Sequence, residues 1–206
     1  MNNLNIATQI IAESARITDL ALQIDAPQTA DWDYPVGSLD HPIETWYSAS
    51  LNDLTGRRNN GYPHTGLDLN IDKAPWGDVD RGQPVFSVAD GEVYSSGYST
   101  NYLGGLVVKC DHFGVPLWVR YWHIEFPLGV EYQRGDQIEA GQHIGAIGNY
   151  KLGAGGDHLH LDMAWMPFEP HWWFTKHPEI SWADPEFVLK MHLYNDLVDA
   201  MLRKGQ

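Results

Sequence analysis

The chain has 206 residues, 43% hydrophobic and 19% charged, enough apolar material for a core and too much for wholesale disorder. Its formal net charge of −14 excludes the basic face of a nucleic-acid binder. A single cysteine, Cys110, excludes an internal disulfide, and no apolar run approaches the ~20 residues of a transmembrane helix.

The first residues, Met1-Asn2-Asn3-Leu4-Asn5, lack the basic and continuous apolar regions of a secretory signal. Leu4, Ala7, Ile10, Ile11, Ile17, Ala21 and Ile24 recur at three- and four-residue steps and predict an amphipathic helix over 4–24, stopped by Asp25-Ala26-Pro27. Residues 25–60, rich in Pro, Asp, Trp and Gly, read as an irregular wrapping segment. Residues 1–55 hold eight acidic side chains and one basic one, Arg16, so they carry half the net charge. Such a surface reads as a solvated face, or alternatively as a docking surface for a cationic protein partner.

From residue 64 short apolar runs alternate with Gly, Pro and Asn breaks. They predict strands near 66–71, 84–89, 91–96, 104–110, 115–122, 136–139, 142–147 and 158–164. Ala89-Asp90-Gly91 is a tight-turn signal between two of them. No helical pattern interrupts the series, so a mainly antiparallel sheet is expected. Cys110 lies in one of these runs and reads as a small buried apolar residue. A closing helix is expected over 184–203, carrying Phe187, Val188, Met191, Leu193, Leu197, Val198 and Met201.

Two of the histidine-containing stretches suggest chemistry. In His158-Leu159-His160-Leu161-Asp162, strand alternation puts His158 and His160 on one face, about 6.6 Å apart, and Leu159 and Leu161 on the other. Both imidazoles could hold one ion, or one could bind while the other works beside it; a histidine pair on a solvated face is the alternative. In His64-Thr65-Gly66-Leu67-Asp68, a fully extended chain would hold His64 and Asp68 about 13 Å apart. Sharing an ion therefore requires a bend, which Gly66 permits. Two neutral imidazoles and one carboxylate form the three-ligand set of a catalytic zinc, with the fourth position left for water. The chain has no H-E-x-x-H helix, so histidines must carry the proton work.

With these stretches the sequence resembles the lysostaphin-type, LytM-like zinc metallopeptidases over about residues 54–190. His64-Thr65-Gly66-Leu67-Asp68 is similar to the family's His-x-Gly-x-Asp, and His158-Leu159-His160-Leu161 to His-Leu-His-Phe. Between them, Gln83 to Val93 and Ala140 to Gly145 are similar to family stretches, as are Asp111-His112-Phe113-Gly114 and Tyr121-Trp122-His123-Ile124. Gly56-Arg57 approximates the Gly-x-Arg approach without its spacing. The resemblance implies one zinc ion on His64, Asp68 and His160, with His123 and His158 as catalytic histidines and Tyr121 contacting substrate. It implies a compact antiparallel β-sheet peptidase domain with a groove, acting on peptidoglycan cross-links or stem peptides in the cell envelope. His112 reads as structural and His143 as exposed. The loop 149–156 lacks the family's Ser/Thr-Gly repeats, and residues 73–81 form an insertion. Trp165, Trp172 and Trp173 read as packing residues, or alternatively as a surface reading sugar or peptide.

The expected layout is an acidic N-terminal helix and wrapping segment over 1–53, the peptidase domain over 54–190, and a helical tail over 191–206. Rival functions are a non-catalytic cell-wall-binding or hydrolase-activating protein and a structural component of a phage or secretion assembly.

Overall fold

The computed structural model describes residues 35–36, 46–49, 64–70, 80–149, 157–171, 179–189 and 191–192. The expected helix over 4–24, most of residues 25–60, residues 73–79 of the 73–81 insertion, the loop over 150–156 and residues 193–206 of the expected C-terminal tail lie outside the described residues, as do Trp172 and Trp173.

Among the described residues there are ten strands: β1 (Trp46–Ala49), β2 (Gly66–Asn70), β3 (Pro84–Phe86), β4 (Gly91–Ser99), β5 (Leu103–His112), β6 (Val115–Glu125), β7 (Gln137–Ile138), β8 (His143–Ile147), β9 (Leu159–Ala164) and β10 (Trp182–Ala183). They form one sheet in the order β1-β2-β9-β6-β5-β4-β7, with β10 joined to β9 and β8 bridging β6 and β3. Every pairing is antiparallel, as expected from runs joined by short turns. β1 and β10 were not foreseen; each is short and has little alternation to read.

Alternation on the central strands separates two faces. Leu67 and Leu69 of β2, Leu117, Val119 and Tyr121 of β6, and Leu159, Leu161 and Met163 of β9 enter one continuous core. Each such aliphatic side chain taken from water contributes roughly 1.5–3 kcal/mol. The intervening residues, Asp68, Arg120, Trp122, His160 and Asp162, lie on the other face, yet all are buried. Cys110 is buried too, and burial pushes its thiol pKa far up, as expected of an inert apolar filler.

The expected turn at Ala89-Asp90-Gly91 does not join paired strands. β3 pairs with β8, whereas β4 pairs with β5 and β7. Asp90 Oδ1 instead accepts the Ala140 backbone N–H at 2.7 Å, tying the crossing chain to a neighbouring loop. Residues 185–189 and 191–192 are helical, within the expected C-terminal helix. Asp184 starts it: its Oδ1 accepts the Glu186 N–H at 3.0 Å, in the manner of an N-cap. Val188 and Leu189 dock this helix on the core. Among the described residues no helix is long and apolar enough to cross a membrane.

Candidate metal centre

The sheet register assembles the centre. Asp68 lies opposite His160 across β2 and β9, and His160 lies opposite Trp122 across β9 and β6. His64 sits two residues before β2, and its Nε2 still reaches Asp68 Oδ1. Gly66 itself is already extended. An added Cβ there would stand 2.1 Å from the Leu161 carbonyl oxygen, so glycine serves the close approach of β9.

Three imidazoles converge on one carboxylate oxygen. Asp68 Oδ1 is 2.8 Å from His160 Nδ1, 3.1 Å from His64 Nε2 and 3.4 Å from His158 Nε2. The ligand atoms of His64, Asp68 and His160 all lie within 4.8 Å of one another. The two shorter contacts approach the edge of a zinc tetrahedron, about 3.4 Å for bonds near 2.1 Å. Two imidazoles and a carboxylate, nearly dry, are donors suited to zinc, so the residues fit the ion.

Electrostatics follow from this packing. Burial alone would raise the Asp68 pKa, but the His158 charge and hydrogen bonds from His160 and His64 hold it well below the carboxylate range. Burial would lower the His160 pKa; Asp162, then Asp68, overcome that and raise it to about 9. His160 Nε2 is 2.8 Å from Asp162 Oδ1. The Arg120 guanidinium grips the other Asp162 oxygen through Nε at 2.6 Å and through Nη2.

His123 reaches the cluster through a β-bulge. Strict alternation from Leu117, Val119 and Tyr121 would send His123 into the core. Trp122 and Ile124 instead pair with adjacent residues, Gly105 and Gly104, leaving His123 as the extra residue. Its φ of 66° is left-handed, a conformation that costs a non-glycine residue about 1–3 kcal/mol. The bulge turns its ring to 5.1 Å from His158 and 5.9 Å from His160, stacked on Trp122 at 4.8 Å. His123 Nδ1 donates to the Tyr102 carbonyl at 3.0 Å, which leaves Nε2 as the acceptor nitrogen. Burial, then the charges of His158 and His160, holds its pKa well below the ordinary value.

The five histidine and aspartate positions expected from sequence are thus brought together, and Tyr121 is not. Its ring is fully buried in the core, and its hydroxyl accepts the Val88 N–H at 2.7 Å. Tyr121 alternates with Trp122, so the residue beside it, not Tyr121, faces the histidines; the expected substrate contact is corrected accordingly. Sequence reading also missed Arg120 and Asp162. The available signal was an arginine inside the apolar run Leu117–Trp122 and an aspartate ending His-Leu-His-Leu-Asp, since a buried cation needs a buried anion. His143 is exposed, as expected. His112 contacts His192 at 2.9 Å, remote in sequence from the cluster.

The sequence model of peptidase family M23 matches residues 62–170, more than half of the chain. Among curated proteins no match is found. Solved structures with similar folds include lysostaphin in solution, with a TM-score of 0.53 and 21% identity over 73% of this chain and 52% of that one. The catalytic domain of lysostaphin from Staphylococcus simulans gives 0.51 and 22% over 71% of this chain and 93% of the domain. A lytM from Ruminococcus gnavus gives 0.51 and 21% over 81% and 61%. The chain therefore spans about half the length of lysostaphin, and at these identities the likeness is one of fold.

Proposed function

Because the chain belongs to peptidase family M23, we propose that it is a zinc-dependent endopeptidase that hydrolyses peptide bonds in peptidoglycan cross-links or stem peptides. The observation that carries this reading is the convergence of His64, Asp68 and His160 from either side of the β2–β9 pairing, with His123 and His158 against them. The lytM that shares the fold is described as a glycyl-glycine endopeptidase, and with the family match this favours peptidoglycan peptides as substrate and the cell envelope as the proposed place of action.

His64, Asp68 and His160 would hold one zinc ion. A zinc so bound supplies a Lewis acid and a water of lowered pKa. The remaining work falls to the two other histidines. His123 commits its Nδ1–H to the Tyr102 carbonyl and keeps its lone pair at Nε2, so it is the group placed to take a proton. His158 Nε2, already directed at Asp68 Oδ1, is suited to donate a hydrogen bond to an oxygen gathering negative charge. Trp122 backs His123 and edges His160 at 5.7 Å, shielding both from water.

The test is hydrolysis of purified peptidoglycans of different cross-link chemistry by the full chain. New amino termini should appear with zinc, vanish with a chelator and return on readdition of zinc. Zinc binding without new termini on any wall would favour a non-catalytic wall-binding protein.

A further inference from the structure

Asp162 and Arg120 form a fully buried ion pair directly behind His160. Register places them together, since Arg120 lies opposite Asp162 across β6 and β9. The guanidinium is itself fixed on every side. Nη1 donates to the Pro170 carbonyl at 3.0 Å, and the planar group lies 4.1 Å over the Trp122 ring and 5.2 Å over Phe168. At Gly66 an added Cβ would stand 2.8 Å from Asp162 Oδ1, so the missing side chain leaves this carboxylate its room.

A buried ion pair is an expensive way to stabilise a fold. Well-packed apolar residues of the same volume are often as good or better. What an apolar pair could not do is choose between the two nitrogens of His160. A carboxylate only accepts hydrogen bonds, so Asp162 Oδ1 requires a proton on His160 Nε2. Nδ1, 2.8 Å from Asp68, donates to that carboxylate in turn, and it is the nitrogen whose proton a cation shared with Asp68 would replace. We propose that Asp162, anchored by Arg120, is a positioning residue that fixes the tautomer and ring orientation of His160 for metal binding through Nδ1. This rests on the zinc reading above. Arg120 is part of the device: with Nε and Nη2 both on Oδ2, it holds the carboxylate charged and unable to rotate.

The decisive variant is Asp162→Asn. Arg120 would claim the amide oxygen, and the amide N–H group would then face His160 Nε2. That demands a lone pair at Nε2 and moves the ring proton to Nδ1, the wrong nitrogen for the metal. The experiment is competition for zinc against a chromophoric chelator, with folding of the metal-free chain followed by circular dichroism. The folded Asp162→Asn chain should bind zinc roughly 10–100-fold more weakly than the parent. Arg120→Met/Asp162→Leu, which leaves neither an uncompensated charge nor an acceptor at His160 Nε2, should fold and still bind weakly. Parent-like zinc affinity in either folded variant would overturn the proposal. Independently of any variant, ¹⁵N NMR of the zinc-loaded parent should show the His160 proton on Nε2; a proton on Nδ1 would overturn it too. A parent chain that binds no zinc would instead defeat the underlying metal reading, so the two failures are distinguishable.

Discussion

Two buried histidine clusters stand at opposite ends of β6, and their surroundings push them in opposite directions. Near its start, His112 and His192 share a hydrogen bond of 2.9 Å, with the His192 ring stacked on Phe113 at 4.7 Å and Trp165 against His112. Burial, then the charge of His112, lowers the His192 pKa to about 3. Near the end of β6, His160 is just as dry but lies between Asp68 and Asp162, and its pKa rises to about 9. Dry surroundings favour neutral imidazole in both places; carboxylates at hydrogen-bond distance reverse the preference in one of them. A cluster that stabilises a cation on an imidazole is also one prepared to receive a metal cation, whereas the His112–His192 pair reads as packing.

The largest expected effect breaks the carboxylate-rich cluster. Asp68→Ala or His64→Ala should remove wall hydrolysis altogether, measured as released amino termini, because each deletes one of three ligands. Next, His158→Ala should keep zinc while lowering turnover about 10²–10⁴-fold, the usual worth of an acid–base group. Equal rates in variant and parent would remove His158 from the chemistry.

The His112–His192 cluster predicts a pH effect on stability. The folded His192 pKa, about 3, lies below the ~6.5 of an unfolded histidine. As pH falls the unfolded chain takes up the proton first. The stability contributed by neutral His192 is therefore complete above pH ~6.5 and is lost progressively down toward pH 3. His192→Phe should flatten the fall of Tm between pH 6.5 and 4 relative to the parent; parallel curves would contradict this. The smallest effect is expected at Tyr121→Phe. Leaving the buried Val88 N–H without its acceptor should cost about 1–3 kcal/mol of stability, read by denaturant unfolding, with KM unchanged. A raised KM would return Tyr121 to the substrate.

How legible these clusters were in sequence follows from the range of the signals. His-Leu-His-Leu-Asp announces a strand with one polar face, and β9 is that strand. Alternation likewise located β4 to β8, although β5 and β6 run longer than the apolar runs suggested. Asp68 meeting His160 is a matter of register between segments 92 residues apart, which no local pattern encodes. Resemblance to a family supplied that pairing. Resemblance also produced the error at Tyr121, where two-residue alternation on β6 alone would have placed the ring in the core. His123 shows the opposite case: alternation would have buried it with Tyr121, and only the bulge against Gly104 and Gly105 turns it to the site. The Arg120–Asp162 pair was written in the sequence as two charges inside apolar runs, but their partnership depends on the β6–β9 register.

The most direct test of the metal centre is a zinc titration of the metal-stripped full chain, followed by elemental analysis after dialysis. One tightly held zinc per chain, absent from His160→Ala, is the predicted result. Retention of that zinc by folded His160→Ala, or no retained zinc in the parent, would contradict the centre described above.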